Sequence, residues 1–255
     1  MEKLVNPGRI MFALGIIGLA ILGIKYQDFI VGRPPAWSET FSAIKPALAY
    51  VTAILLIICC VAIIFRKYVF IASLVIAALT FIFSVLRHLP VFMADWVNAY
   101  KSMAIVGGAL IVANSFIAKE SSNPAGLKAR ESWKNGLFTV GCILVAASFI
   151  AAGYAHFKWA SGVKELIPVF IPFRLFWVYF CGVCLFAGGI GILIPQTRKW
   201  AALLSGIMVL GWFFLFHIPR FLVNTNDPSD RMGVCESFLF SGIFFLLAGM
   251  TARKK

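Results

Sequence analysis

Residues 70–90, FIASLVIAALTFIFSVLRHLP, and residues 199–219, KWAALLSGIMVLGWFFLFHIP, decide the fold, because each is a long apolar run that ends in His-x-Pro. The two runs stand 129 positions apart, and the same offset pairs Tyr50 with Tyr179, Lys45 with Arg174, Asp95 with Asn224 and Met103 with Met232. One residue off it, Tyr26-Gln27-Asp28-Phe29 meets Tyr154-Ala155-His156-Phe157. Ordered matches along both halves imply two copies of one unit. Working outward, apolar segments fill 10–31, 47–65, 68–88 and 101–118, and again 134–157, 173–194, 199–217 and 234–252. Each approaches the ~20 residues that carry a helix across ~30 Å of hydrocarbon.

Composition agrees with that reading. Hydrophobic residues make up 61% of the 255, charged residues 13%, and the mean hydropathy is +0.93. A soluble domain of this length is far more polar. The runs are continuously apolar rather than alternating, which argues for helices against membrane strands. The expectation is an all-α integral membrane protein with eight transmembrane helices in two four-helix repeats, residues 1–118 and 134–255. Between them, residues 119–134 read KESSNPAGLKARESWK, and 119–133 form the expected linker. An even number of helices per unit starts both units on the same side, so the repeats are parallel rather than inverted. The first segment follows Lys3 and Arg9 as a secretory signal would, but it lacks a small-x-small cleavage site and matches the fifth segment.

The formal net charge of +13 is distributed by side. With both termini and alternate loops on one side, that side takes thirteen of the 23 basic residues and three of the ten acids, Glu2, Glu120 and Glu131. The positive-inside rule then places both termini and the linker in the cytoplasm. The basic surplus is topological, touching anionic lipid, and a nucleic-acid partner is not expected.

All three histidines, His88, His156 and His217, fall at the outer ends of segments, near Lys25, Asp28, Arg87, Lys158, Arg174 and Arg220 and the phenols Tyr26, Tyr50, Tyr154 and Tyr179. Polar groups at that depth are costly unless they pair or line a cavity. Asp28 is expected beside His88, and His156 beside His217. Three readings stand for the histidines: capping of helix ends before Pro90 and Pro219, a ligand or quinone pocket, and haem or metal ligation. The last lacks a full ligand set at either site, and no metal is assigned. Arg174, Trp177, Cys181, Cys184, Gly188 and Gly191 form one helical stripe. Cys181-Gly182-Val183-Cys184 has the spacing of a redox dithiol, but it begins about two turns into a membrane helix, where apolar surroundings disfavour a thiolate; small packing residues are the competing reading. Asp227-Pro228 reads as a helix start that buries Glu236 about two turns down, with His217 or Arg174 as partner, or with Arg231 drawing it toward the interface. The acid has only Gly107 opposite it in the first half. An intramembrane carboxyl is a candidate functional group and proton carrier. No dinucleotide, P-loop, zincin or serine-hydrolase motif appears.

The stretch YAHFKWASGVKELIP (154–168), followed by FRLFWVYFCGVCLFAGGIGILIPQTRKWAALLSGIMVL (173–210) and His217-Ile218-Pro219, resembles the DoxX family of small four-helix membrane proteins. Shared features are an aromatic entry to the second helix, its Gly-rich exit, a basic turn, an Ala-rich third helix and a polar residue closing it. The second half matches well and the first more loosely, so the chain resembles a tandem DoxX duplication. That resemblance implies the bacterial inner membrane and an accessory, quinone-linked role in a membrane redox process, with a soluble or membrane redox partner. It implies a subunit of an oxidoreductase system rather than a stand-alone enzyme; quinone is the expected cofactor ahead of haem. The expected ligand-binding residues are His156, His217, Glu236, Arg174, Trp177, Tyr179, Tyr154, Asp28 and His88, with Cys181 and Cys184 as candidate thiols. The competing functions are a small-molecule or lipid transporter and a non-catalytic membrane scaffold.

Overall fold

The computed structural model describes residues 1–29, 36–92, 96–116 and 124–252. Among these there is no strand. The helices are α1 (Val5–Tyr26), α2 (Lys45–Ile64), α3 (Val69–His88), α4 (Val97–Asn114), α5 (Pro124–Lys158), the short α6 (Ala160–Leu166), α7 (Arg174–Leu193), α8 (Arg198–Trp212), the short α9 (Ile218–Val223) and α10 (Pro228–Ala252). Each long helix coincides with one apolar segment. Seven of the helical stretches are long and apolar enough to cross a membrane, a set compatible with an integral membrane protein. The exception is α4, whose 18 residues include Lys101 and Ser102. It is largely buried among its neighbours, so its own side chains need not face lipid.

Helix ends follow local chemistry. Asp227 starts α10 as its sequence predicts: its Oδ1 accepts from the backbone N–H groups of Ser229 at 2.7 Å and Asp230 at 3.1 Å. α1 ends where Gln27 turns left-handed at φ 50°, and the Asp28 N–H returns to the Gly23 carbonyl at 3.1 Å. α5 begins at Pro124, within the stretch expected as linker, because proline is well suited to a first helical turn. The two His-x-Pro sites end differently. After His88, α3 tightens into a 3-10 turn over Leu89–Val91. Around His217 the chain instead widens into a π turn, Phe213–His217, and continues as α9. Pro219 has no N–H to give the Leu215 carbonyl, and a wider turn is one way for the ladder to pass that gap.

The long helices form a closed ring in chain order, each packing on the next, with α10 returning against α1; α4 and α10 also meet across the middle. Neighbour relations are alike in the two halves. The first helix of each half lies against the last helix of the other: α1 on α10 and α5 on α4. Both junctions are backbone-close. A methyl on Gly242 would stand 2.7 Å from the Gly8 carbonyl, and one on Gly107 the same distance from the Gly141 carbonyl. Between apolar helices in lipid, where no hydrophobic force favours association, such approach maximises packing. Arg9 and Arg66 both lie over the Phe116 ring, so the start of α1, the α2–α3 turn and the exit of α4 share one end of the molecule, the near end. The histidines lie towards the far end.

A candidate ligand chamber at the far end

Among the described residues, each half carries a polar cluster at the far end. In the first, Arg87 of α3 donates from Nη1 to Asp28 Oδ1 at 3.2 Å, and Trp37 Nε1 donates to the same oxygen at 2.9 Å. Lys45 stands 4.0 Å away. Trp37 stacks on the buried Phe29 at 4.1 Å, and the Arg87 guanidinium lies 5.0 Å from the Trp37 ring. The expected Asp28–His88 partnership is therefore replaced by Asp28–Arg87. Adjacent residues on a helix point about 100° apart, so the face of α3 that brings Arg87 to the carboxylate turns the ring of His88 elsewhere. His88 is 2% exposed and borders neither cavity of the second half. This cluster is a closed ion pair under an aromatic roof.

The second cluster surrounds open space. A cavity of about 180 Å³ is lined by Lys101 of α4, His156 of α5, His217, and Glu236 and Ser237 of α10. It shares Tyr100, Lys101, His156, Leu185, Val209 and His217 with a larger chamber of about 390 Å³, whose walls include Trp159, Trp177, Trp212 and Cys181. Lys101, His156 and His217 line both cavities; the smaller adds Glu236 and the larger adds three tryptophans. Glu236 is 4% exposed. His156 Nδ1 donates to the Ala152 carbonyl at 2.8 Å, which orients the ring and assigns its proton. The His217 ring lies against α10 at Gly233, where a methyl would come within 2.7 Å of Nδ1. Ser148 ties α5 to α4, donating to the Tyr100 carbonyl at 2.7 Å.

The structure therefore brings His156, His217, Glu236 and Trp177 to one chamber and leaves other expected residues outside it. Arg174 turns to the α6–α7 loop, 3.5 Å from Glu165 and 3.4 Å from the Ile167 carbonyl, and so is no partner of Glu236. Lys164, with Arg174 adding, holds the Glu165 carboxyl below its ordinary range. Tyr179 packs on Phe157 at 5.7 Å and Tyr154 on Trp96 at 6.0 Å; both phenols face outward. Cys181 lines the chamber while Cys184 lines a separate outer groove, and all six cysteines are free thiols. Gly188 and Gly191 complete the stripe as close contacts to α8: methyls there would lie 2.5 Å from Ser205 Oγ and 2.7 Å from Ala201 Cβ. Arg220 closes the far end, donating to Asp230 at 2.6 Å and to the Leu166 carbonyl at 3.0 Å. Among the described residues no three His, Cys, Asp or Glu side chains converge as a metal would need.

Sequence reading missed Lys101 and Tyr100. Lys101 begins the fourth apolar segment, where a lysine reads as an interfacial anchor. The available signal was the low hydropathy of α4 itself, since a helix too polar to face lipid belongs inside the protein.

Residues 145–229, from the middle of α5 to the first turn of α10, match a family described as a domain of unknown function (DUF8561). The match takes in His156, Trp177, Cys181 and His217 and stops short of Glu236. No curated protein and no solved structure matches the chain.

Proposed function

We propose that this is a DoxX-like accessory subunit of a membrane redox process, whose second half holds a quinone-type ligand. It comprises eight spans in two parallel repeats in the bacterial inner membrane, with both termini cytoplasmic. The observation that carries the ligand reading is the combined chamber, where Glu236 joins Lys101, His156 and His217 in the smaller part and three tryptophans line the larger. A planar ligand with hydrogen-bonding oxygens on an apolar body suits that gradient, because binding pockets are mostly apolar with a few placed polar groups. Bound there, a quinone would supply reversible electron and proton chemistry. Lys101 and His217 would donate hydrogen bonds to its oxygens, Glu236 would carry protons, and Trp177 and Trp212 would flank the ring. α4 is accepted as the eighth span because its neighbours, rather than lipid, surround it.

Purification in mild detergent, followed by absorbance and mass spectrometry of the bound fraction, tests this reading. A quinone retained by the native protein and lost from Glu236→Gln supports it; a stoichiometric ligand of other chemistry overturns it. One observation favours transport as the second reading: α4 of the first half supplies Tyr100 and Lys101 to the larger chamber, which is otherwise walled by the second, as a path between repeats requires. Transport predicts substrate accumulation in vesicles containing this chain alone.

A further inference from the structure

An apolar groove of about 640 Å³ runs along the outside of α7 and α8, floored by Gly188, Ala201 and Ser205 and bordered by Ala187, Leu204 and Gly211. Trp177, Met208 and Trp212 border both this groove and the chamber, so these three side chains form the partition between them. The indoles of Trp177 and Trp212 meet edge to face, centroids 5.9 Å apart. Beyond the partition the surface is apolar and outward-facing, with Leu204 and Ile207 well exposed. The polar cavity thus adjoins the aromatic chamber, and the chamber adjoins the apolar groove across the tryptophan partition.

We infer that the ligand of the chamber is a lipid-tailed molecule whose chain leaves through the Trp177–Trp212 neck and lies in the α7–α8 groove. This rests on the chamber holding a quinone-type head. The wall that groove and chamber share is what selects the occupant. A chain fixed to a head inside must exit somewhere, and this partition is made of side chains, which can turn, rather than of helix backbone. The small residues of the floor leave room for it, and close dispersion contact, rather than escape from water, provides the gain within a bilayer. The same neck gives lateral entry from the membrane.

The test uses the full chain in detergent and two probes with the same dimethoxy-benzoquinone head, one carrying a decyl tail and one tail-less, with binding read by quenching of tryptophan fluorescence. Gly211 faces open space, with nothing within 4 Å of an added methyl, so Gly211→Leu fills the groove without disturbing packing; Ala187→Leu is an independent fill. The native protein is expected to bind the decyl probe about tenfold more tightly than the tail-less one. Either substitution should abolish that difference while leaving tail-less affinity unchanged. A tail preference that survives both substitutions overturns the groove assignment and leaves the head site standing. No preference in the native protein has the same meaning. Binding of neither probe overturns the head site and, with it, this inference.

Discussion

At Gly233 the absence of a side chain is what seats an imidazole. Any Cβ there would meet His217 Nδ1 at 2.7 Å, so Gly233→Ala should push the ring out of place without removing a polar group. Ligand retention in detergent should fall about tenfold, the equivalent of one hydrogen bond at ~1.4 kcal/mol, with the fold intact by circular dichroism. Unchanged retention would make the position of His217 irrelevant to binding. Glu236→Gln and His217→Ala should each weaken retention by a similar factor, and the double variant by clearly less than the product, because the two groups border one cavity. Additive losses would assign them separate roles. His88→Ala should act on stability alone, since His88 is buried away from the chamber. Asp28→Asn removes the carboxylate that Arg87 pairs with at 3.2 Å, and losing a charge-assisted hydrogen bond at this part-buried site costs about 1.5–3 kcal/mol. A lowered melting temperature with ligand retained is the expected result. Of the site, His156, His217, Glu236 and Trp177 were legible in the sequence because each is polar or aromatic in an apolar run. Lys101 was not, because its position at a segment edge also fits an anchor at the membrane surface.

Among the elements, the π turn before His217 distinguishes the two halves most sharply. Both halves carry His-x-Pro, and nothing in either motif makes one helix stop and the other continue. The difference lies in tertiary pairing beyond the turn: α9 is held by Arg220, which reaches both Asp230 and Leu166. Pairing of this kind links residues distant in sequence and has no periodic signature. By contrast, the positions of the long helices were legible from apolar length, and the start of α10 from Asp227-Pro228. Asp227→Ala should remove the cap and cost about 1 kcal/mol of stability, read as a small shift in melting temperature. On α7 the two thiols point to different spaces, Cys181 into the chamber and Cys184 into the groove. Replacing Cys181 with Ser and Cys184 with Ala should leave ligand retention and redox activity within a few-fold. Loss of turnover in a well-folded double variant would establish a dithiol centre.

For the whole molecule, the distribution of basic charge carries the proposed orientation. Arg9 and Arg66 gather at Phe116, and Arg198 lies over the Phe138 ring, so basic side chains from both halves cluster by the near end. With that end cytoplasmic, Ser122→Cys in a cysteine-less background should resist membrane-impermeant thiol reagents in intact cells, whereas Ser161→Cys should react. Reversed labelling would turn the molecule over and open the chamber toward the cytoplasm. The pairing of each half's first helix with the other half's last was not legible from the matched segments. An ordered match of four apolar segments per half fixes which helices form and says nothing about whether each half closes on itself.

That cross-pairing has a consequence for biogenesis. Translation delivers the chain from its N-terminus, so α1 enters the bilayer long before α10 has been synthesised. Throughout that interval the Gly8 face of α1, shaped for backbone contact with Gly242, has only lipid or a chaperone to meet. Assembly is therefore committed at the end of synthesis, when α10 slots against α1, α4 and α8 together. A ribosome that stalls before Pro228 leaves a membrane-inserted chain with its central seam open, a natural substrate for quality-control proteases.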